Sequence, residues 1–182
     1  MPRVLHLKSS RSTQTLARRM AERGAPAWTL VRADRQTRGR GRMERSWSSG
    51  KGGLYVSLIL RPRLTPAGLA GLSLAAAKAC ARALAAPGLE LFIKPPNDIL
   101  ARRAGSAEPA RKVCGILLEA SGDTQAVDWV VLGIGVNAAN RLPRALSSAA
   151  TLSELSGRRV GPEAVLPRLL RRLRGIGRPL IG

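Results

Sequence analysis

Apolar positions along the chain fall into two spacings that divide it into helices and strands. In "STQTLARRMAERG" (12–24) Leu16 and Met20 stand four apart behind a Ser/Thr start, with Gly24 as the stop, which predicts a helix with one apolar face. "AWTLVRAD" (27–34) and "GGLYVSLILRP" (52–62) are rich in β-branched and aromatic residues and end in polar or proline positions, as strands do. "TPAGLAGLSLAAAKACARALAA" (65–86) is small or apolar around most of its circumference and predicts a core helix ending near Pro87 and Gly88. Three more strands are expected in "LELFIKP", "RKVCGILLEAS" and "DWVVLGIGVNA". Between the first two, "ARRAGSAEPAR" (101–111) has the Ala, Gly, Pro and charge content of a surface excursion. "GPEAVLPRLLRRLRGI" (161–176) predicts a last amphipathic helix. Helices and strands in this order point to an α+β domain, a mixed β-sheet flanked by helices.

Composition narrows the picture. A chain of 182 residues with 45% hydrophobic content can build one domain around one core. The net charge of +20 predicts attraction to phosphates, anionic lipid or acidic partners without choosing among them. Aromatic residues at 3% leave little surface for stacking bases, which argues against a nucleic-acid binder. A single histidine, His6, rules out a multi-histidine metal site, and Cys80 and Cys114 have no metal-ligand spacing, so buried free thiols are expected. The N-terminus lacks the apolar core of a signal peptide, and no run is read as reaching the roughly 18 apolar residues of a membrane span. A cytoplasmic protein without membrane or DNA partners is expected.

Four segments could carry chemistry. In "RQTRGRGRMERSW" (35–47) glycine amides can approach an anion closely while arginines offer forked donors, which makes a phosphate cradle, though a solvated loop has the same composition. It lacks the Lys-Ser/Thr ending of a P-loop. In "KPPNDI" (94–99) two prolines present Asn97 and Asp98 at a strand end, as an ordinary proline turn also would. "KVCGILLE" (112–119) opens an apolar strand with Lys112, and "GIGVN" (133–137) ends one with Asn137. A snorkelling edge lysine and a tight sheet crossing are their plain alternatives.

Taken in order, these segments and the Ser12-Thr13 pair resemble the catalytic domain of biotin protein ligases, within the biotin/lipoate protein ligase superfamily. That family has Ser-Thr opening a helix, Gln before a Gly-Arg-Gly-Arg loop and Trp, Lys-Trp-Pro-Asn-Asp, Lys-x-x-Gly-Ile-Leu-x-Glu and Gly-Ile-Gly-x-Asn. The resemblance covers roughly residues 8 to 172. It implies a class II aminoacyl-tRNA-synthetase-like catalytic fold over residues 1–174 with a short tail at 175–182, no N-terminal DNA-binding domain, and no C-terminal SH3-like barrel. It also implies formation of biotinyl-5′-AMP from biotin and ATP with Mg²⁺, then transfer to a lysine of a biotin carboxyl carrier protein. A homodimer is an open option, and a lipoate or octanoate ligase or a weakly active ligand-binding homologue is the alternative.

By matching position, the resemblance gives biotin Ser12, Thr13, Gln36, Gly39, Arg40, Lys112 and Gly115. It gives the adenylate Arg40, Arg42, Trp47, Lys94, Asn97, Lys112 and Asn137. Catalysis would fall to Lys112, Arg40, Arg42 and Asp98, with Asp98 beside the incoming carrier lysine. This sequence departs from the family in Arg11 and Gln14 on either side of Ser-Thr, where Asp and Asn are usual, and in Pro95 for the tryptophan. "MER" stands where many members have another glycine, and Cys114 replaces a small apolar residue.

Overall fold

The computed structural model describes residues 3–180. Seven strands form one mixed sheet: β1 (Arg3–Leu7), β2 (Thr29–Ala33), β3 (Leu54–Leu60), β4 (Leu89–Lys94), β5 (Asp98–Arg103), β6 (Arg111–Gly122) and β7 (Val127–Val136), in spatial order β1-β2-β3-β7-β6-β5-β4. Only the β1–β2 pair is parallel; the other five are antiparallel. Helix α1 (Thr13–Glu22) lies on one face, and α2 (Leu69–Leu84) and α4 (Pro162–Leu180) belong to the other, with a short α3 (Leu152–Ser156) between.

The period-2 alternation explains the layering. All seven residues of β3 are buried, because both of its faces are covered. Leu54, Val56, Leu58 and Leu60 join Leu132, Ile134 and Ile116 in the larger core under α2 and α4. Ile59 and Val131 point the other way and pack with Ala17 and Ala21 of α1 and Trp129. Each fully buried Leu or Ile is worth about 1.5–3 kcal/mol relative to an exposed one. α1 starts where the Ser12 hydroxyl accepts from the Thr15 amide at 3.4 Å, and its chain turns away at Gly24, φ +83°.

Several elements differ from the sequence expectation. β1 is a strand although its residues are largely exposed; its ladder with β2, from Arg3↔Thr29 to Leu7↔Ala33, supplies what its own pattern does not. β5 takes Ala101–Arg103 out of the expected excursion, because these residues pair with β4 on one side and Ala101 also with Arg111 of β6. α3 is a single turn capped by Thr151, whose hydroxyl accepts from the Glu154 amide at 3.1 Å. α4 runs past residue 174 to Leu180. Pro66–Leu84 is long and apolar enough to cross a membrane on length and composition, contrary to the expectation. In this fold Leu72, Ala76, Cys80, Ala83 and Leu84 of that stretch are buried in the larger core.

Candidate functional site

On the α1 face, three strands leave a bare floor. Register pairs Tyr55 with Gly135 and Gly135 with Gly115, while the next row along holds Ser57, Gly133 and Leu117, and the one after holds Ile59, Val131 and Glu119. The glycines matter for what lies on them. A Cβ at Gly135 would stand 2.6 Å from Cε2 and Nε1 of Trp47, and one at Gly115 would stand 2.8 Å from Trp47 Cζ3. A Cβ at Gly133 would stand 2.3 Å from Gln14 Oε1. The floor is thus covered by an indole at one end and an amide at the other, around a cavity of about 180 Å³.

Lys112 reaches this face through an irregularity. Asp98 pairs with Gly115 and Ile99 with Cys114, but Leu100 pairs with Lys112, so Val113 is an extra residue on β6. Val113 and Cys114 are both wholly buried in the larger core. Strict alternation would send Lys112 to that core with Cys114. The bulge turns it to the side of Gly115 instead. There its Nζ stands 2.7 Å from Asp98 Oδ1 and 5.2 Å from the centre of the Trp47 ring. Asp98 Oδ1 is buried, and the approach of the ammonium is off the hydrogen-bonding direction, so the contact is chiefly Coulombic. Asn137 braces the bulge: its amide donates to the Val113 carbonyl at 2.8 Å and its side chain to the Lys112 carbonyl at 3.4 Å.

The opposite end is polar and mostly neutral, with one ion pair at its margin. Gln36 Oε1 accepts from both the amide (2.8 Å) and the hydroxyl (3.1 Å) of Thr13, and Gln36 Nε2 donates to Ser49 Oγ at 2.9 Å. Ser57 Oγ stands 3.0 Å from Thr13 Oγ1 and 3.1 Å from Gln14 Oε1. Gln14 Nε2 donates to Glu119 Oε2 at 2.9 Å and to the Val131 carbonyl at 3.2 Å, and Arg40 Nη1 meets Glu119 Oε1 at 2.9 Å. Ser12, Thr13, Gln14, Ser49 and Ser57 are all buried, so these bonds satisfy groups that would otherwise be costly to desolvate.

The arginine and glycine loop is a small hairpin, not an open coil. Trp47 donates its amide to the Gly39 carbonyl at 2.9 Å, Arg40 bridges Ser46, and Gly41 donates to the Arg45 carbonyl at 2.7 Å. Its tip places Met43 (φ +49°) and Glu44 (φ +58°) in the left-handed region that glycine or asparagine ordinarily fills. Arg42 Nη1 donates to Asn97 Oδ1 at 3.1 Å, while Asn97 Nδ2 donates to the Ile116 carbonyl at 2.9 Å. Gly39 lies beneath the loop, where a Cβ would stand 2.4 Å from the Trp47 carbonyl oxygen.

Of the residues singled out from sequence, Ser12, Thr13, Gln36, Arg40, Arg42, Trp47, Asn97, Asp98, Lys112 and Gly115 line one cavity. Gly39, Lys94 and Asn137 do not line it: Gly39 is packed beneath the loop against the Trp47 carbonyl, Lys94 is exposed opposite Asp98 in the β4–β5 ladder, and Asn137 is buried behind Lys112. Sequence reasoning gave no role to Ser57, Glu119 or Tyr55, and treated Gln14 only as a departure. A serine inside the apolar run "LYVSLIL" was the available signal for Ser57. Cys114 is wholly buried on the core side, where the neighbouring Cys80 thiol and burial hold it well above the ordinary thiol range, so it is inert as a nucleophile. No cluster of three or more metal-ligating side chains occurs among the described residues.

Comparison with known proteins places the chain in a family. Residues 6–137 match the model of the biotin/lipoate A/B protein ligase family. The bifunctional ligase/repressor BirA of Bacillus spizizenii is 40% identical over 165 residues, 87% of this chain and 49% of that protein. The biotin--[acetyl-CoA-carboxylase] ligase of Paracoccus denitrificans is 42% identical over 116 residues, 62% of this chain and 45% of that one. This chain therefore spans about half the length of these relatives. Among solved structures, biotin protein ligase from Aquifex aeolicus with biotin and ATP superposes with a TM-score of 0.75 at 32% identity, covering 96% of this chain and 70% of that one. The Leishmania major enzyme with biotinyl-5-AMP gives 0.77 at 27% identity, covering 97% and 75%. With the family's model matched over residues 6–137 and the overall fold shared with biotin protein ligase from Aquifex aeolicus, this chain belongs to the biotin/lipoate A/B protein ligase family.

Proposed function

We propose that this chain is an ATP-dependent biotin protein ligase: it joins biotin to AMP and passes the biotinyl group to a lysine of a biotin carboxyl carrier protein in the cytoplasm. The observation that carries the reading is the polarity of the cavity along its length. One end offers Thr13, Gln14, Gln36 and Ser57, hydrogen-bonding groups suited to a cyclic urea, and the other offers Lys112 and Arg42, suited to a carboxylate turning into an acyl phosphate, while Arg40 is paired with Glu119 beside Gln14. A lipoyl or octanoyl tail carries no urea and could not use the spare acceptor capacity of the Gln14 and Gln36 carbonyl oxygens at the polar end. That favours biotin over the sister substrates.

In the first step the biotin carboxylate attacks the α-phosphorus of ATP and pyrophosphate leaves. Lys112 and Arg42 are cations at the end where negative charge would accumulate, such donors contribute most when already oriented, and Arg40 would join them by leaving Glu119. ATP would arrive as its Mg²⁺ complex, with the ion on the phosphates, because Asp98 is engaged by Lys112. Trp47 Nε1, buried and without an acceptor among the described residues, is a donor available to a ligand oxygen. In the second step Asp98 would exchange Lys112 for the carrier lysine and help remove its proton as the amine attacks the acyl carbon and AMP leaves. Asn137 serves by holding the bulge that aims Lys112, and Lys94 stands too far out on β4 to line the cavity.

The test is pyrophosphate exchange with ATP driven in parallel by biotin, lipoate and octanoate, followed by labelling of a biotin carboxyl carrier domain. Exchange driven by biotin alone is expected; exchange driven equally by lipoate would overturn the assignment.

A further inference from the structure

We propose that Glu119 is a positioning residue that fixes both the arginine and glycine loop and the orientation of the Gln14 amide, and so sets the preference for a ligand carrying an N–H donor. This deepens the proposed function and rests on it for the identity of the ligand. Glu119 is only one-fifth exposed; it accepts a hydrogen bond from Gln14 of α1 at 2.9 Å and forms an ion pair with Arg40 of the loop, Nη1 to Oε1 2.9 Å.

The hydrogen bond decides which way Gln14 faces. Its Nε2 lies between two groups that can only accept, the Glu119 carboxylate and the Val131 carbonyl. Its Oε1 must therefore point toward the Ser57 hydroxyl and over bare Gly133, on the cavity floor. With a carboxylate at 119 the cavity meets a carbonyl oxygen, the acceptor that a urea N–H requires. Without it, the 3.2 Å bond to the Val131 carbonyl alone opposes a turn of the amide that would present its NH₂, which repels the same ligand group.

The ion pair closes a circuit. From Arg40 the contacts run through Glu119, Gln14, Ser57, Thr13 and Gln36, and Gln36 reaches Ser49, whose hydroxyl donates to the Trp47 carbonyl. The loop is thus held at its start, middle and end by groups of α1 and the sheet. Glu119 is the one charged anchor in that ring besides Arg40 itself. An ordinary half-exposed ion pair would be worth little. Here the carboxylate also serves a buried amide.

The experiment compares wild type with Glu119→Gln and Glu119→Asp. Glu119→Gln should raise the dissociation constant for biotin on the order of 10- to 100-fold, the effect of one mispaired buried group, while the maximal rate of pyrophosphate exchange changes by no more than about threefold. Its preference for biotin over lipoate should fall, and amides 38–46 should exchange faster with no ligand added. Glu119→Asp, which keeps the acceptor charge, should recover part of each effect. Unchanged loop exchange in Glu119→Gln, or an equal loss in the two variants, overturns the proposal. Wild type that binds no biotin would refute the proposed function alone, and the loop measurement would still decide the role of Glu119.

Discussion

Replacing Gly135 with alanine should damage the site while leaving the fold nearly intact. The new Cβ would stand 2.6 Å from Trp47 Cε2 and Nε1, whereas carbon contacts settle near about 3.5–4.0 Å, so the indole must retreat by roughly 1 Å. Trp47 carries Lys112 with it, since the ammonium rests 5.2 Å from the ring centre. If the ring could not move, overpacking would cost about 1–3 kcal/mol. Trp47 belongs to a loop and can yield, and alanine gains back about 0.5–1 kcal/mol of strand entropy. Stability is therefore expected to change by less than about 1 kcal/mol, or about 2–4 °C in Tm for a chain of this size. Misplacing a reacting group by about 1 Å costs on the order of 10²-fold in rate, and that loss should appear in biotin-dependent pyrophosphate exchange. Gly71→Ala is the control, because it sits in α2 with nothing within 4 Å of its Cβ position and should raise Tm without touching activity. Exchange by Gly135→Ala within about threefold of wild type would mean the indole does not need its place on the floor.

Three further outcomes are expected. Lys112→Ala should lower pyrophosphate exchange by on the order of 10²- to 10³-fold while the protein stays folded with a lowered Tm, because the buried Asp98 oxygen loses its cation, and a loss of only a few-fold would remove Lys112 from the transition state. Changing Met43 to Asn and Glu44 to Gly should relieve roughly 1 kcal/mol at each left-handed position and slow amide exchange across 40–46; faster exchange would contradict the hairpin geometry. Burial and Cys80 raise the Cys114 thiol, and burial raises the Tyr55 hydroxyl, so both contribute stability that is complete below the ordinary ionisation of each group and is lost as pH rises past it. Urea midpoints should therefore fall from about pH 8.5 upward and more steeply above about pH 10, and a flat profile to about pH 10.5 would contradict this burial.

Much of the fold was legible because its central elements obey their periods. α1, α2, β3, β6 and β7 follow the spacing of Leu16 and Met20, the small-residue circumference of 69–84, and the β-branched runs of the inner strands. β1 and β5 were not, since edge and hairpin strands owe their conformation to their partners, Thr29–Ala33 for one and Leu89–Lys94 for the other. In the site, the cations and the Ser-Thr pair were readable as residue types able to bind an anion and a polar head. Gln14, Ser57 and Glu119 were not, because their meaning arises from register. Glu119 shares a row with Val131 and sits one row from Gly133, and only that placement brings it within reach of both α1 and the loop. Asn137 looked exposed beyond a glycine-rich strand end, yet Leu152 and the bulge bury it.

The extra residue on β6 means that the side on which a group emerges cannot be counted from the sequence alone. A strand records only odd and even: Lys112 and Gly115 are three apart, so plain alternation would set them on opposite faces, and the Val113 bulge restores them to one side. Deleting Val113 would leave them two apart, so Leu100 would still face Lys112 in an unbroken ladder, with the ammonium still on the side of Gly115 and only the Val113 side chain lost from the core. A relative with a regular strand here should therefore carry its cation an even number of residues before the glycine.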